Sequence, residues 1–334
     1  MALLLSLLAL LLLSPIAHAQ QRSLGALQSL SCGSVCNLTV SVAGGGGATV
    51  PLQLSFWGPS IVRWWLAVDG NFSDTGAASD VIVTPSQAIT ISAVETQDYY
   101  ELQQTPPASV FVRVGKAPVL LTIFVDGKAV VTEQAPLTWN GTSSWETLSR
   151  DGASGSNLTV EHFFGGGMQN GRFAHRDQTI GIGVDYDWDE GGHPNSAPWY
   201  VSTAGYGVLR NTWAPGAYSF ASPVVTVHNE STRFDAFFLL AGAGPDSIKT
   251  LLGMYANLTG PPFLPPIYGL FLGDSDCYHN SRHGNSTQVA LAVARQYKEN
   301  DIPGGWLLVN DGYGCVSEAG WPGWAAGEHN SVTQ

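Results

Sequence analysis

Positive charge is scarce in this chain. Its 334 residues carry 14 Lys+Arg against 26 Asp+Glu, a net charge of −12, and no basic cluster interrupts that balance. A phosphate backbone needs a basic face, so nucleic acid is excluded as a partner. Cysteine is limited to four residues, Cys32, Cys36, Cys277 and Cys315. No histidine stands at ligand spacing beside Cys32 and Cys36, which disfavours zinc. Beyond residue 19 no apolar run is long enough for a membrane helix. Internal repeats and coiled-coil heptads are absent as well, which removes solenoids and fibrous assemblies from consideration.

What is present points outward from the cell. The opening residues MALLLSLLALLLLSPIAHAQ have a short apolar core, Ala2 to Leu13, and a small-x-small pattern at Ala17-His18-Ala19. Such a segment reads as a secretory signal, residues 1–19, and is excluded from the fold. Seven N-x-S/T sequons follow, at Asn37, Asn71, Asn140, Asn157, Asn229, Asn257 and Asn285, each a surface-loop candidate for glycosylation. The cysteines form an even set suited to an oxidising compartment. Cys32 and Cys36 close a short loop, while Cys277 and Cys315 each follow a proposed strand end; sequence alone does not fix the connectivity. The chain is therefore expected to be exported, with no membrane anchor and no cofactor.

Residues 20–47 read as loosely structured and end in a glycine run, Gly44 to Gly47. From Ala48 the pattern is short strands rich in β-branched and aromatic residues. They are expected at Leu52–Trp57, Ile61–Val68, Val81–Thr84, Ala88–Ser92, Val110–Val114, Val119–Val125 and Ala129–Thr132. The series continues at Thr159–Phe164, Thr179–Val184, Trp199–Thr203, Tyr206–Arg210, Val224–His228 and Arg233–Leu240. Asp126-Gly127 between two of them is a hairpin turn signal. So many strands with turns between them predict a large antiparallel β-sandwich over residues 20–245. A helix is expected from Asp246 to Tyr255, and then a proline hinge, Pro261 to Pro266, so that 246–262 forms a linker.

After the hinge the pattern changes. Ile267–Leu272 (IYGLFL) is a short apolar run, Ser286–Lys298 has apolar residues at helical spacing, and Trp306–Val309 (WLLV) is a second run. Strand, helix, strand is a βαβ unit of a parallel sheet, over residues 263–315. Each strand ends in polar residues: Asp274 and Asp276 after the first, Asn310 and Asp311 after the second. Ligands bind at such carboxyl ends. Turn and cap duty is the alternative for these residues. The tail 316–334 has no sustained periodicity.

Two further stretches carry chemical interest. In Phe163 to Phe173 (FFGGGMQNGRF), three glycines permit close backbone approach, and Gln169, Asn170 and Arg172 are donors suited to sugar hydroxyls. A plain glycine turn explains the pattern equally well. Asp185 to Gly192 alternates acids like a calcium loop, but the sixth and twelfth positions are Glu190 and Ser196 instead of Gly and Glu. No metal site is expected there. His175, His193, His279 and His283 read as surface or loop histidines.

GPPFLPPIYGLFLGDSDCY, a helix, and then GGWLLVNDGYG resemble the entry into the catalytic barrel of glycoside hydrolase family 31. Upstream, FFGGGMQNGRFAHRDQTI and GGHPNSAPWYVSTAGYGVLRNTWAPGAYSF resemble the N-terminal β-sandwich of the same family. The resemblance spans about residues 155–315, with the motifs in the family's order. It implies a mutarotase-like sandwich followed by the first βαβ of an incomplete (β/α)8 barrel. It also implies retaining hydrolysis of α-glycosides by a nucleophile and an acid/base. Both of those carboxylates come from later barrel strands, so no catalytic residue is assigned here and this chain alone is expected to be inactive. The resemblance makes Asp274, Asp276, Asn310 and Asp311 sugar-binding residues, joined by Gln169, Asn170 and Arg172. Tyr278 and Trp306 are candidates for a subsite wall, with core packing the alternative for Trp306. The expected partner is an α-linked oligosaccharide or glycoside. Two rivals are a non-catalytic carbohydrate-binding sandwich and a mutarotase-type enzyme. The latter needs a His/Glu pair, and Glu161-His162, adjacent on one strand, point to opposite faces.

Overall fold

The computed structural model describes residues 21–74, 81–151, 160–183, 185, 189–270, 272–274 and 286–307. These fall into two compact units that part between Pro261 and Pro262.

The first unit is almost entirely antiparallel sheet. Its strands are β1 (Arg22–Cys32), β2 (Val35–Val42), β3 (Thr49–Gly58), β4 (Ile61–Ala67), β5 (Thr90–Glu95), β6 (Tyr99–Thr105), β7 (Val110–Gly115), β8 (Leu121–Val125) and β9 (Lys128–Trp139). They continue as β10 (Ser144–Leu148), β11 (Phe163–Met168), β12 (Thr179–Ile182), β13 (Asn195–Ser202), β14 (Tyr206–Arg210), β15 (Gly216–Ser219), β16 (Val224–His228) and β17 (Arg233–Leu240). One run of ladders is ordered β1-β2-β3-β4-β17-β14-β13-β11. A second also starts at β1 and is ordered β1-β9-β10-β16-β15-β12. A third branches from the long strand β9 through β8, β7 and β6 to β5.

Period-two alternation sets the core. Leu52, Leu54 and Phe56 on β3, Val62, Trp64 and Leu66 on β4, and Phe234, Ala236, Phe238 and Leu240 on β17 all enter one cluster. Leu137 and Trp139 on β9, Leu148 on β10, Tyr218 on β15 and Val224 on β16 meet them there from the second run. Strand β17 is buried on both faces, because Phe237 and Leu239 pack into a separate cluster with Leu251 and Leu258. Those two leucines belong to helix α1 (Ser247–Thr259). Burying each contributes roughly 1.5–3 kcal/mol. Gly260, at φ 89°, ends the helix in a conformation that suits glycine.

Several expectations need correction. Residues 20–47 are not loose: β1 and β2 form a ladder from Leu24↔Val42 to Cys32↔Cys36, closed by a Cys32–Cys36 disulfide. Val81–Thr84 is not a strand; the amides of Val83 and Thr84 donate to Leu258 O, which seats this loop on the end of α1. The strand expected at Thr159–Phe164 begins only at Phe163, so Glu161 and His162 lie ahead of it. Helix α1 runs four residues beyond Tyr255, to Thr259, whose Oγ1 donates to Tyr255 O at 2.9 Å.

In the second unit Ile267–Leu270 form a 3-10 turn rather than a strand, and the strand β18 is confined to Leu272–Asp274. The proline pair Pro265-Pro266 supplies no N–H groups for a ladder. Helix α2 (Ser286–Glu299) follows, and β19 (Gly304–Leu307) pairs with β18 in parallel. The order β18-α2-β19 is the expected βαβ unit.

Among the described residues no helix is long and apolar enough to cross a membrane. Four sequon asparagines, Asn37, Asn71, Asn229 and Asn257, are exposed. Asn140 is half-buried, with its Oδ1 accepting from the amides of Thr142 and Ser143 at 2.8 Å each.

Candidate functional site

The glycine run lies in β11 against β13, and a bulge falls between Gly165 and Gly167. All three glycines have positive φ: 123°, 77° and 78°. A Cβ at Gly165 would meet Trp199 O at 2.6 Å, one at Gly166 would meet Ile180 Cδ1 at 2.5 Å, and one at Gly167 would meet Asn195 O at 2.4 Å. The close approach that these glycines allow is therefore to the neighbouring strands of the sandwich. Sequence left a close approach and a plain turn balanced; the structure has a bulged strand that only glycine fits.

Past the bulge the chain turns through the three proposed donors. Gln169 Nε2 donates to Gly166 O at 2.9 Å and to Gly181 O at 3.0 Å, so its amide hydrogens hold the loop to β12. The backbone of Asn170 donates to Gly192 O and accepts from the Gly191 amide, both at 2.9 Å. Arg172 and Phe173 project outward; Phe173 is 85% exposed and packs on Phe164 at a centroid distance of 5.4 Å. The loop thus commits Gln169 to positioning and presents Arg172 and Phe173.

His175 closes the loop. It was expected at the surface, but it is only 3% exposed, stacks on Phe220 and brings Nε2 to 3.0 Å from Gly165 O. His193 is half-buried, with Nδ1 2.6 Å from Gly183 O. Of the acidic stretch, Asp185 bridges to His193 across an isolated antiparallel pair.

A cleft of about 470 Å³ opens beside this loop, lined in part by Ile182, Gly183, Ser196, Arg210, Asn211 and Trp213. Ser196 Oγ donates to Gly183 O at 2.8 Å and accepts from the Gly183 amide at 2.9 Å, which ties the cleft wall to the loop base. Trp213 is 62% exposed at its rim. Sequence reasoning missed this cleft, because its walls come from the ends of β12, β13 and β14, which only the fold brings together.

Behind Asn211, Arg63 lies over the Trp65 ring at 3.8 Å and binds Asp235 through two hydrogen bonds of 2.9 and 2.7 Å. Asn211 Nδ2 donates to the same carboxylate at 2.8 Å. Burial works against the guanidinium charge, but Asp235 and Asp74 outweigh it and raise the Arg63 pKa.

In the second unit Asp274 ends β18, opposite Leu307 in the parallel ladder. Trp306 lies within β19. Asp276, Tyr278, His279, His283, Asn310 and Asp311 lie outside the described residues, as do Cys277 and Cys315.

The first unit is thus a large antiparallel sandwich with a glycine-rich loop at the end of β11. The family model described as the glycosyl hydrolase 31 N-terminal galactose mutarotase-like domain matches residues 51–218. The chain belongs to glycoside hydrolase family 31. An uncharacterized family 31 glucosidase, ORF2 of Pseudescherichia vulneris, is 30% identical over 135 residues, which are 38% of this chain and 24% of that protein. The GH31 dextranase FjDex31A of Flavobacterium johnsoniae, complexed with glucose, superposes with a TM-score of 0.67 at 19% identity, over 84% of this chain and 33% of that one. The cycloalternan-forming enzyme of Listeria monocytogenes, in complex with a pentasaccharide substrate, gives 0.68 at 15% identity, over 86% and 26%. The chain thus spans about a quarter of the curated relative's length.

Proposed function

We propose that this chain is the N-terminal portion of an exported hydrolase of α-linked glycosides that works with retention. The observation that carries this is the family-model match, which falls on the sandwich from residue 51 to 218. A retaining site needs two carboxylates about 5–5.5 Å apart, one to attack the anomeric carbon and one to protonate the leaving oxygen. We assign neither role to any residue here, because the family draws both from later barrel strands. The chain alone should therefore be catalytically incomplete.

On this proposal residues 1–19 direct export, 20–245 form the sandwich, 246–262 link and 263–315 begin the barrel. Asp274, Asp276, Asn310 and Asp311 are sugar-binding residues at the strand ends of the second unit. Asn170 and Arg172 are sugar-binding residues of the sandwich loop, which Gln169 holds in place. An α-glucan oligosaccharide is the favoured substrate class. Support comes from relatives of the same fold: the dextranase has a variant complexed with isomaltotriose, and the cycloalternan-forming enzyme holds a pentasaccharide.

Incubation with aryl α-glycosides tests the proposal. The 334-residue chain should show no turnover, and a version extended through further βα units should hydrolyse them with retention. Hydrolysis by the short chain, or inactivity of the extended one on every α-glycoside, would overturn it.

A further inference from the structure

The inner face of the second run of strands carries polar side chains in rows. Glu146 on β10 pairs across from Thr226 on β16, and Thr226 pairs across from Tyr218 on β15. One step along, Ser144 pairs across from His228. All five residues are 0% exposed. Buried polar groups are normally hydrogen-bonded. Ser144 is, donating through Oγ to Arg233 O. The two Glu146 oxygens, Thr226 Oγ1, the Tyr218 hydroxyl, both ring nitrogens of His228, and Arg210 Nε and Nη1 have no protein partner at hydrogen-bonding geometry. From the facing run Tyr200 brings another unpartnered hydroxyl, with its ring 4.8 Å from that of Tyr218.

Unsatisfied groups in such number, on neighbouring strands, are what ordered internal water joins; each water needs two to four polar partners. We propose that this seam between the sheets binds a file of ordered water molecules, with Glu146 held in it as a neutral carboxylic acid.

The protonation state follows from the donors available. Glu133 on β9 accepts from Trp64 Nε1 at 3.2 Å and from the Leu121 amide at 2.6 Å, whereas Glu146 has no N–H donor and faces the Glu133 carboxyl, a pairing that needs a proton on one of the two. Burial pushes Glu133 up to about 8. Burial, together with the nearby Glu133, lifts Glu146 well above the ordinary carboxyl range. The other titratable groups around the seam do not offset this. His228 is kept neutral by burial and by the Arg210 and Arg233 charges, and its ring stacks on Phe234 at 4.4 Å. Burial raises Tyr200, Tyr206 and Tyr218, and it raises Glu161, which is engaged by Ser202. Arg210 also lines the 470 Å³ cleft.

Two measurements on the folded chain test this. A crystal structure that resolves solvent should show waters bonded to His228 and Tyr218; side chains that bond one another directly, or a dry interior, would overturn the proposal. Infrared spectra at about pH 6, where ordinary carboxylates are ionised, should show carboxylic-acid carbonyl absorption from the neutral Glu133 and Glu146, and Glu146→Gln should reduce it. A band unchanged in that variant, or absent from the wild-type chain, would also overturn it. Should the variant fail to fold, the crystal structure and the wild-type spectrum still separate a hydrated, protonated seam from a dry or ionised one.

Discussion

Arg63 and Asp235 meet in a two-pronged ion pair, with Nε 2.9 Å from Oδ1 and Nη2 2.7 Å from Oδ2, although neither side chain is more than 5% exposed. Removing one partner leaves the other charge buried. Asp235→Ala should cost about 3–5 kcal/mol. Replacing both residues, as in Arg63→Met with Asp235→Ala, should cost less than the sum of the single changes. Urea midpoints of the three variants check this, and strict additivity would contradict it.

The glycine bulge is next. A methyl group at Gly167 would press on Asn195 O at 2.4 Å in a backbone that also has φ of 78°. Both effects act in the same direction. Gly167→Ala should therefore lower the thermal midpoint more than alanine at Gly191, where φ is 98° but a Cβ would meet nothing within 4 Å. Equal losses would show that φ strain alone governs the bulge.

For sugar contact, the two loop side chains should separate cleanly. Arg172 is exposed, so Arg172→Ala should leave stability within about 0.5 kcal/mol of wild type. It should weaken any heat of titration with isomaltose or maltose. Gln169→Ala removes two loop-pinning hydrogen bonds and should lower stability and sugar heat together. A full sugar response in the Arg172 variant would remove that residue from the proposed site.

Asp151 predicts an acid transition. Its carboxyl takes two hydrogen bonds from Arg176, at 2.8 and 2.6 Å, which are the main reason its pKa is lowered from 3.8 to about 2. A pKa depressed in the folded state stabilises above the unfolded value and ceases to as pH falls through the folded one. The contribution is therefore complete above about pH 4 and disappears toward pH 2. Asp151→Asn should shallow the stability profile in that window and leave the slope near neutrality unchanged.

Much of the sandwich could be read directly, because β3, β4, β7, β14, β16 and β17 are dense in β-branched and aromatic residues. Strands with polar inward residues were harder to see. Strand β10 turns Ser144 and Glu146 inward and leaves Trp145 and Thr147 half-exposed, the reverse of the usual pattern. In β6 Gln104 is buried and donates to Pro59 O at 2.7 Å, so YYELQQT shows little alternation. In β2 alternation is present, with Cys36, Leu38, Val40 and Val42 buried, but it is thinned by Asn37, Thr39 and Ser41. The glycine loop was visible as a motif. Its internal bonding was not, because Gly181 and Asn195 reach it only through the sheet.

Strand β17 is a wall shared by two packed layers, with Phe238 on one side and Phe237 on the other. The helix that rests on it runs directly into Pro261. Tension applied to the chain at that proline would pass through Leu251 and Leu258 into β17, and from there into its partners β4 and β14. Forced opening is governed by the unfolding barrier, and the helix is fastened to middle strands of its run of ladders rather than to an edge strand.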